Sequence, residues 1–224
     1  MWPSLVSTLM LHQLRNTFRR VCWVGARPDL PPDRPVVIYA NHHHFLDGHL
    51  LWLLIDHMLH RPGTTWMAEW DRFPFFAALG AQPFPPDAPA RRGATVRRTA
   101  RRFQDEPRTV LAYFPEGTLH APAEGILALQ PRVFAQLHRI FPDPVWWPVA
   151  LHVTWWGDMN PTALLAGGTP SPEPPSDPRR QLTTLWSSLR TDVPSSTHLL
   201  LDGHRSPSEV WDLSLARSYF ERYL

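Results

Sequence analysis

Apolar positions recur at helical spacing at the start of the chain, where Leu5, Val6, Leu9, Met10, Leu14, Phe18 and Val21 fall on one stripe and arginines gather toward its end. The spacing predicts an amphipathic helix within residues 1–22. The pattern then changes. Pro35-Val36-Val37-Ile38-Tyr39-Ala40 is a β-branched and aromatic run that predicts a buried strand leading directly into Asn41. Residues 46–59 predict an apolar helix, 64–69 a strand, 71–79 a short helix ending at Gly80, 82–89 a proline-rich extended segment and 92–104 a further helix. Thr109-Val110-Leu111-Ala112-Tyr113-Phe114 predicts a second clear strand, which enters Pro115-Glu116-Gly117-Thr118. Beyond it, 125–140 predicts a helix despite Pro131, 145–155 a strand interrupted at Pro148, and 167–178 a loop rich in proline, serine and glycine that is the best candidate for a mobile surface segment. The chain is expected to close with a helix over 179–192, a strand over 198–202 and a helix over 207–223.

Strands alternating with helices predict an α/β fold, a largely parallel central sheet flanked by helices behind the N-terminal amphipathic helix, in one domain spanning residues 1–224. Ligands of such sheets bind at the carboxyl ends of the strands. The segments at 41–47 and 115–118 both sit at such ends.

Composition narrows the chemistry. All 22 basic side chains are arginine, since no lysine occurs, so lysine Schiff bases and the phosphate-loop and kinase lysines are excluded. The formal net charge of +2 is too close to balance for a generic nucleic-acid binder. Cys22, the sole cysteine, rules out an intramolecular disulfide and a cysteine-rich zinc site. No run of about 18 apolar residues predicts a spanning helix, and the N-terminus lacks the basic start of a signal peptide.

Asn41-His42-His43-His44-Phe45-Leu46-Asp47 has three meanings by itself: a general-base pair, a metal site of clustered histidines, or a polar turn. Positions five apart on a helix diverge by about 140°, so His42 and Asp47 can meet only if His42 lies in the turn before the helix and Asp47 in its first turn. Asp47 then fixes one imidazole nitrogen of His42 and leaves the other to take a proton. Asn41 is expected to orient the turn through side-chain hydrogen bonds. For a metal, the offsets of Asp47 and His49 from the three histidines miss the usual ligand order, so no metal is expected.

Asn41-His42-x-x-x-x-Asp47, followed some seventy residues later by Phe114-Pro115-Glu116-Gly117-Thr118, resembles the glycerolipid acyltransferase superfamily, whose best-known members are the lysophosphatidate acyltransferases. Val145-Trp146-Trp147-Pro148-Val149-Ala150 resembles that family's apolar strand carrying a proline. The resemblance implies that His42 deprotonates an acceptor hydroxyl, supported by Asp47, and that Glu116, Gly117 and Thr118 shape the acceptor site. It implies no cofactor: acyl-CoA or acyl carrier protein enters as a co-substrate and a lipid as acceptor. With no Gly-x-Ser-x-Gly elbow and with Cys22 expected in the N-terminal helix, direct transfer is simpler than a covalent acyl-enzyme.

The chain departs from the family where Leu119 and His120 follow Thr118 in place of arginine and serine, and where no arginine follows Gly80 until Arg91. The acceptor is therefore expected to differ from lysophosphatidate. His44, where the family often has serine, either bonds within the turn or touches substrate. Arg91 and Arg92, with Arg97, Arg98, Arg101 and Arg102, are candidates for contacting donor phosphates, an acidic carrier or anionic headgroups. Trp2, Trp146, Trp147, Trp155 and Trp156 are candidates for a lipid interface, which with the N-terminal helix predicts a peripheral enzyme on the cytoplasmic membrane face. The rival functions are a metal-dependent hydrolase using the histidine cluster and an inactive membrane-surface binding protein.

Overall fold

Val36–Ala40 forms β2, five residues buried without exception, and a strand apolar on both faces can only lie inside a sheet covered on both sides. In the computed structural model, which describes residues 2–191, 196–203 and 214, β2 lies within an eight-stranded sheet. The other elements are α1 (Trp2–Thr17), β1 (Arg20–Val24), α2 (Asp47–Leu53), β3 (Gly63–Met67), β4 (Ala81–Pro83), α3 (Pro89–Asp105), β5 (Val110–Tyr113), α4 (Pro131–Ile140), β6 (Val145–Thr154), β7 (Thr162–Gly167), α5 (Pro178–Thr191) and β8 (Thr197–Asp202). A π-helical turn, Leu54–Leu59, extends α2. The sheet order is β4-β3-β5-β2-β6-β7-β1-β8.

The five strands from β4 to β6 are mutually parallel; β7 is antiparallel to β6, β1 is parallel to β7, and β8 is antiparallel to β1. The fold is thus α/β with a mixed, mostly parallel sheet, as the strand and helix alternation predicts. Alternate residues of β2 serve two cores. Val36, Ile38 and Ala40 pack with Leu14, Phe18, Leu50 and Leu54 from α1, α2 and their flanks. Val37 and Tyr39 pack with Phe103, Phe134, Leu137, Leu182 and Trp186 from α3, α4 and α5.

Several expectations change. The N-terminal helix stops at Thr17, not near residue 22, and Arg20–Val24 is a strand. Val21, Cys22 and Trp23 are β-formers, and pairing with β7 on one side and β8 on the other outweighs the helical spacing. Cys22 is accordingly a buried strand residue. Thr162–Gly167, a threonine, alanine, leucine and glycine run with weak strand character, is recruited by its hairpin with β6. Residues 70–79 are two 3₁₀ segments, and α4 begins at Pro131, which needs no intrahelical N–H partner at the first helical position. The loop expected to move is tied to β6 by Trp146 N–H to Ser171 O (2.7 Å) and Ser171 N–H to Trp146 O (2.9 Å). Trp146 and Trp147 are buried, whereas Trp155 and Trp156 are exposed. The helix expected over 207–223 and the Trp2 side chain lie outside what is described.

Pro148 does not interrupt β6. Its carbonyl accepts Gly168 N–H (2.9 Å), and Gly168 O, which an N–H at position 148 would meet in an antiparallel pair, accepts the Trp147 indole N–H at 2.9 Å instead. A side chain thereby replaces the missing ladder bond.

Gly167 is equally constrained, because a Cβ there would lie 2.6 Å from the Trp147 ring and 2.7 Å from the Trp23 ring. Gly167→Ala is expected to destabilise the fold by about 1–3 kcal/mol through overpacking. Urea unfolding of the variant against the parent measures it, and an unchanged midpoint would contradict this packing.

Candidate active site

Asn41 follows directly where β2 ends, and its fully buried side chain prolongs the pairing with β6. Its Nδ2–H donates to Leu151 O (2.9 Å) and its Oδ1 accepts Leu151 N–H (2.8 Å). This pair fixes which end of the amide is nitrogen, so the second Nδ2–H meets His43 Nδ1 at 3.0 Å. His43 Nδ1 must then accept, and its Nε2–H donates to Gly125 O (3.1 Å). The tautomer of His43 is set by the backbone of β6. Asn41 anchors the turn to a neighbouring strand, which goes beyond the local orienting role expected of it.

His42 lies in the turn and Asp47 is the first residue of α2. His42 Nδ1 is 3.1 Å from Asp47 Oδ2, and the same oxygen accepts the backbone N–H groups of His43 and His44, each at 2.8 Å. A carboxylate that only accepts requires Nδ1 to carry the hydrogen, which leaves a lone pair on Nε2. Nε2 has no hydrogen bond among the described residues, and the side chain is 23% exposed. The imidazole stacks on Phe114, with centroids 4.4 Å apart. The arrangement can take a proton at one nitrogen while an anion steadies the other.

Glu116 joins the second turn to the first. Its side chain has no exposed surface, Oε2 accepts His42 N–H (2.7 Å) and Oε1 accepts Leu127 N–H (3.0 Å). His120 N–H adds a bond to His42 O (3.3 Å). Of the three residues given to the acceptor by resemblance, Gly117 and Thr118 are exposed, while Glu116 spends both oxygens on backbone inside the turn. Gly117 has φ +72°, where a side chain would be strained.

His44 bonds within the turn, its Nδ1 accepting Leu46 N–H (3.1 Å), and its ring lies against Phe18. Arg91 holds Asp71 through two hydrogen bonds of 2.9 and 3.0 Å, and Arg92 donates to the carbonyls of Pro85 and Pro86. Neither arginine bonds to either turn. Sequence spacing gave no sign of Gly125 and Leu151, whose contacts with the first turn cross 82 and 110 positions, or of His120 and Leu127, which join the two turns through their backbone N–H groups.

His43, Glu116 and His120 bring candidate ligand atoms within 4.8 Å of one another. His120 Nε2 is 3.1 Å from Glu116 Oε2 yet makes no hydrogen bond, so this is an ion-pair distance with unfavourable direction. Both nitrogens of His43 and both oxygens of Glu116 are already engaged. A metal here would have to break the Asn41 or Gly125 bond to His43, so these residues do not fit one as they stand.

The sequence profile of the family described as Acyltransferase matches residues 24–150, which is more than half the chain, and the chain belongs to that family. The resemblance carried by the two turns is borne out. The crystal structure of the 1-acyl-sn-glycerophosphate (LPA) acyltransferase PlsC from Thermotoga maritima is similar with a TM-score of 0.46 and 14% identity, covering 84% of this chain and 73% of that one. No curated protein sequence matches. Among the described residues no helix is long and apolar enough to cross a membrane.

Burial favours the neutral form of His49, His43 and His152. It lowers the pKa of His49 to about 4, with the nearby His44 adding to the effect, and it also lowers His43 and His152. The unfolded chain protonates these groups near pH 6.5 and the folded chain only below that. Stability is therefore full above about pH 6.5 and lost as pH falls toward 4, with His49 alone accounting for about 3 kcal/mol. Urea midpoints on either side of this window check the slope, which His49→Gln should flatten.

Proposed function

We propose that this acyltransferase moves a fatty acyl group from acyl-CoA or acyl carrier protein to a hydroxyl of a lipid, with residues 1–224 acting as one catalytic domain. The observation that carries the proposal is the contact of His42 Nδ1 with Asp47 Oδ2 at 3.1 Å, with Nε2 free of partners among the described residues. His42 Nε2 takes the hydroxyl proton as the acceptor oxygen attacks the thioester carbon. The C–S bond then breaks, and the imidazolium returns the proton to the departing thiolate. Asp47 holds the tautomer and steadies the imidazolium throughout.

The tetrahedral oxyanion needs N–H donors. Those of His42, His43, His44 and Leu46 are already bound, whereas Thr118 and Leu119 have backbone N–H groups with no acceptor among the described residues. The second turn is accordingly the proposed source. Glu116 acts by holding the two turns together, and Asn41 and His44 by shaping the first.

Leucine at 119 offers no charge for a phosphate, and Arg91 would have to release Asp71 before gripping one. The acceptor is therefore a hydroxylated lipid other than lysophosphatidate, such as a glycolipid or lyso-aminolipid. Phe45, Phe75, Trp155, Trp156 and Met159 are exposed around the ends of β2, β3 and β6, the ends that carry His42. Apolar side chains so placed suit a membrane surface that delivers the lipid, on the cytoplasmic face.

His42→Ala is expected to lower transfer by about 10²–10⁴-fold in a chain that circular dichroism shows to be still folded. Retained activity would defeat the mechanism. In a panel of acceptors presented in vesicles, lysophosphatidic acid should be outperformed by a phosphate-free or amine-bearing lysolipid. Its emergence as far the best acceptor would overturn the assignment of the acceptor while leaving His42 in place.

A further inference from the structure

A cleft of about 430 Å³ lies at the end of the sheet opposite His42. Arg61 and Arg108, which precede β3 and β5, line it together with Arg27 from the loop after β1. Leu30, Met58 and Leu59 supply apolar wall, and no carboxylate is among the described lining residues. The volume is that of a small-ligand site.

Arg61 is the unusual member. It is only 8% exposed, and its Nε–H donates to Arg108 O (2.8 Å), Nη1–H to Pro31 O (3.1 Å) and Nη2–H to Arg34 O. A guanidinium has five N–H groups, so three meet neutral carbonyls and two remain. No ion pair reaches Arg61, Arg27 or Arg108 among the described residues. Burial first, then the charge of Arg108, press the Arg61 pKa down, and the field of Asp33 offsets only part.

A buried cation without a carboxylate is costly, and carbonyl dipoles compensate it incompletely. The surrounding backbone is also unusual. Met58 and Leu59 end the π-helical turn, and His60 follows with φ 50°, a left-handed conformation disfavoured for a side-chain-bearing residue. His60 O accepts an Arg108 N–H at 3.1 Å. Irregularities of this kind concentrate where a fold is shaped for a ligand.

We infer that this cleft binds an oxyanion attached to a short alkyl segment. The anionic head sits among Arg27, Arg61 and Arg108 and supplies the charge that Arg61 lacks. The alkyl segment lies on Leu30, Met58 and Leu59. Guanidinium forks suit both phosphate and carboxylate oxygens, so the shared chemistry is an anionic amphiphile. Because the cleft and His42 occupy opposite ends of the strands, occupancy does not depend on the catalytic turn.

Isothermal titration of the full chain with hexyl phosphate, hexanoate, inorganic phosphate and 1-hexanol tests the inference and separates the two head groups. Hexyl phosphate or hexanoate should bind with one-to-one stoichiometry, more tightly than inorganic phosphate and more tightly than hexanol. The double variant Arg27→Ala/Arg108→Ala, checked for an unchanged melt, should weaken binding about tenfold or more, while His42→Ala should bind as the parent does. Arg61 is left intact because its removal would strand three carbonyls. Equal binding of hexanol, full affinity in the double variant, or no binding by either anionic amphiphile would overturn the site. Inorganic phosphate binding as tightly as hexyl phosphate would overturn its apolar half.

Discussion

The Oδ2 atom of Asp47 gathers three donors at once: the imidazole of His42 and the backbone N–H groups of His43 and His44. With 1% of its surface exposed, this carboxylate would be prohibitive to bury without them. It lies at the N-terminus of α2, where the helix dipole also favours negative charge. One oxygen thus curls the chain leaving β2, starts the next helix and aims the imidazole. Separating these roles by mutation is correspondingly hard, since any change at Asp47 alters backbone and chemistry together.

Two further polar side chains make that turn part of a larger rigid unit. Asn41 ties it to β6 through Leu151, and Glu116 ties it to the segment beyond β5 through His42 and Leu127. All three anchors use charged or amide groups to satisfy backbone N–H and C=O groups that the end of a parallel sheet leaves open. The polar cluster is therefore built like a splice between strands, and the exposed edge of the His42 ring is the part it leaves for chemistry.

Much of this was legible in the sequence because it is local. The uniform apolar run of β2, its abrupt change to Asn41 and the five-residue offset to Asp47 each constrain backbone within a few positions. The roles of β1 and β7 were not legible. Val21 fits the apolar stripe of a helix as well as a strand, and Ala163-Leu164-Leu165-Ala166 has no strong preference, so pairing partners decide both. The same limit applies to the site. Glu116 could be picked out by its motif, but its two bonds to the backbone N–H groups of His42 and Leu127 could not, since they depend on where residues 120–127 cross the turn.

The pairing of β1 with β7 also bears on how the molecule is made. Arg20 aligns with Thr162, so the strand nearest the N-terminus waits for roughly 140 more residues before its parallel partner exists. Contacts so distant along the chain form late and slowly. Val21, Cys22 and Trp23 must therefore remain unpaired with it through most of synthesis, an interval in which an apolar strand edge is prone to aggregate or to need a chaperone.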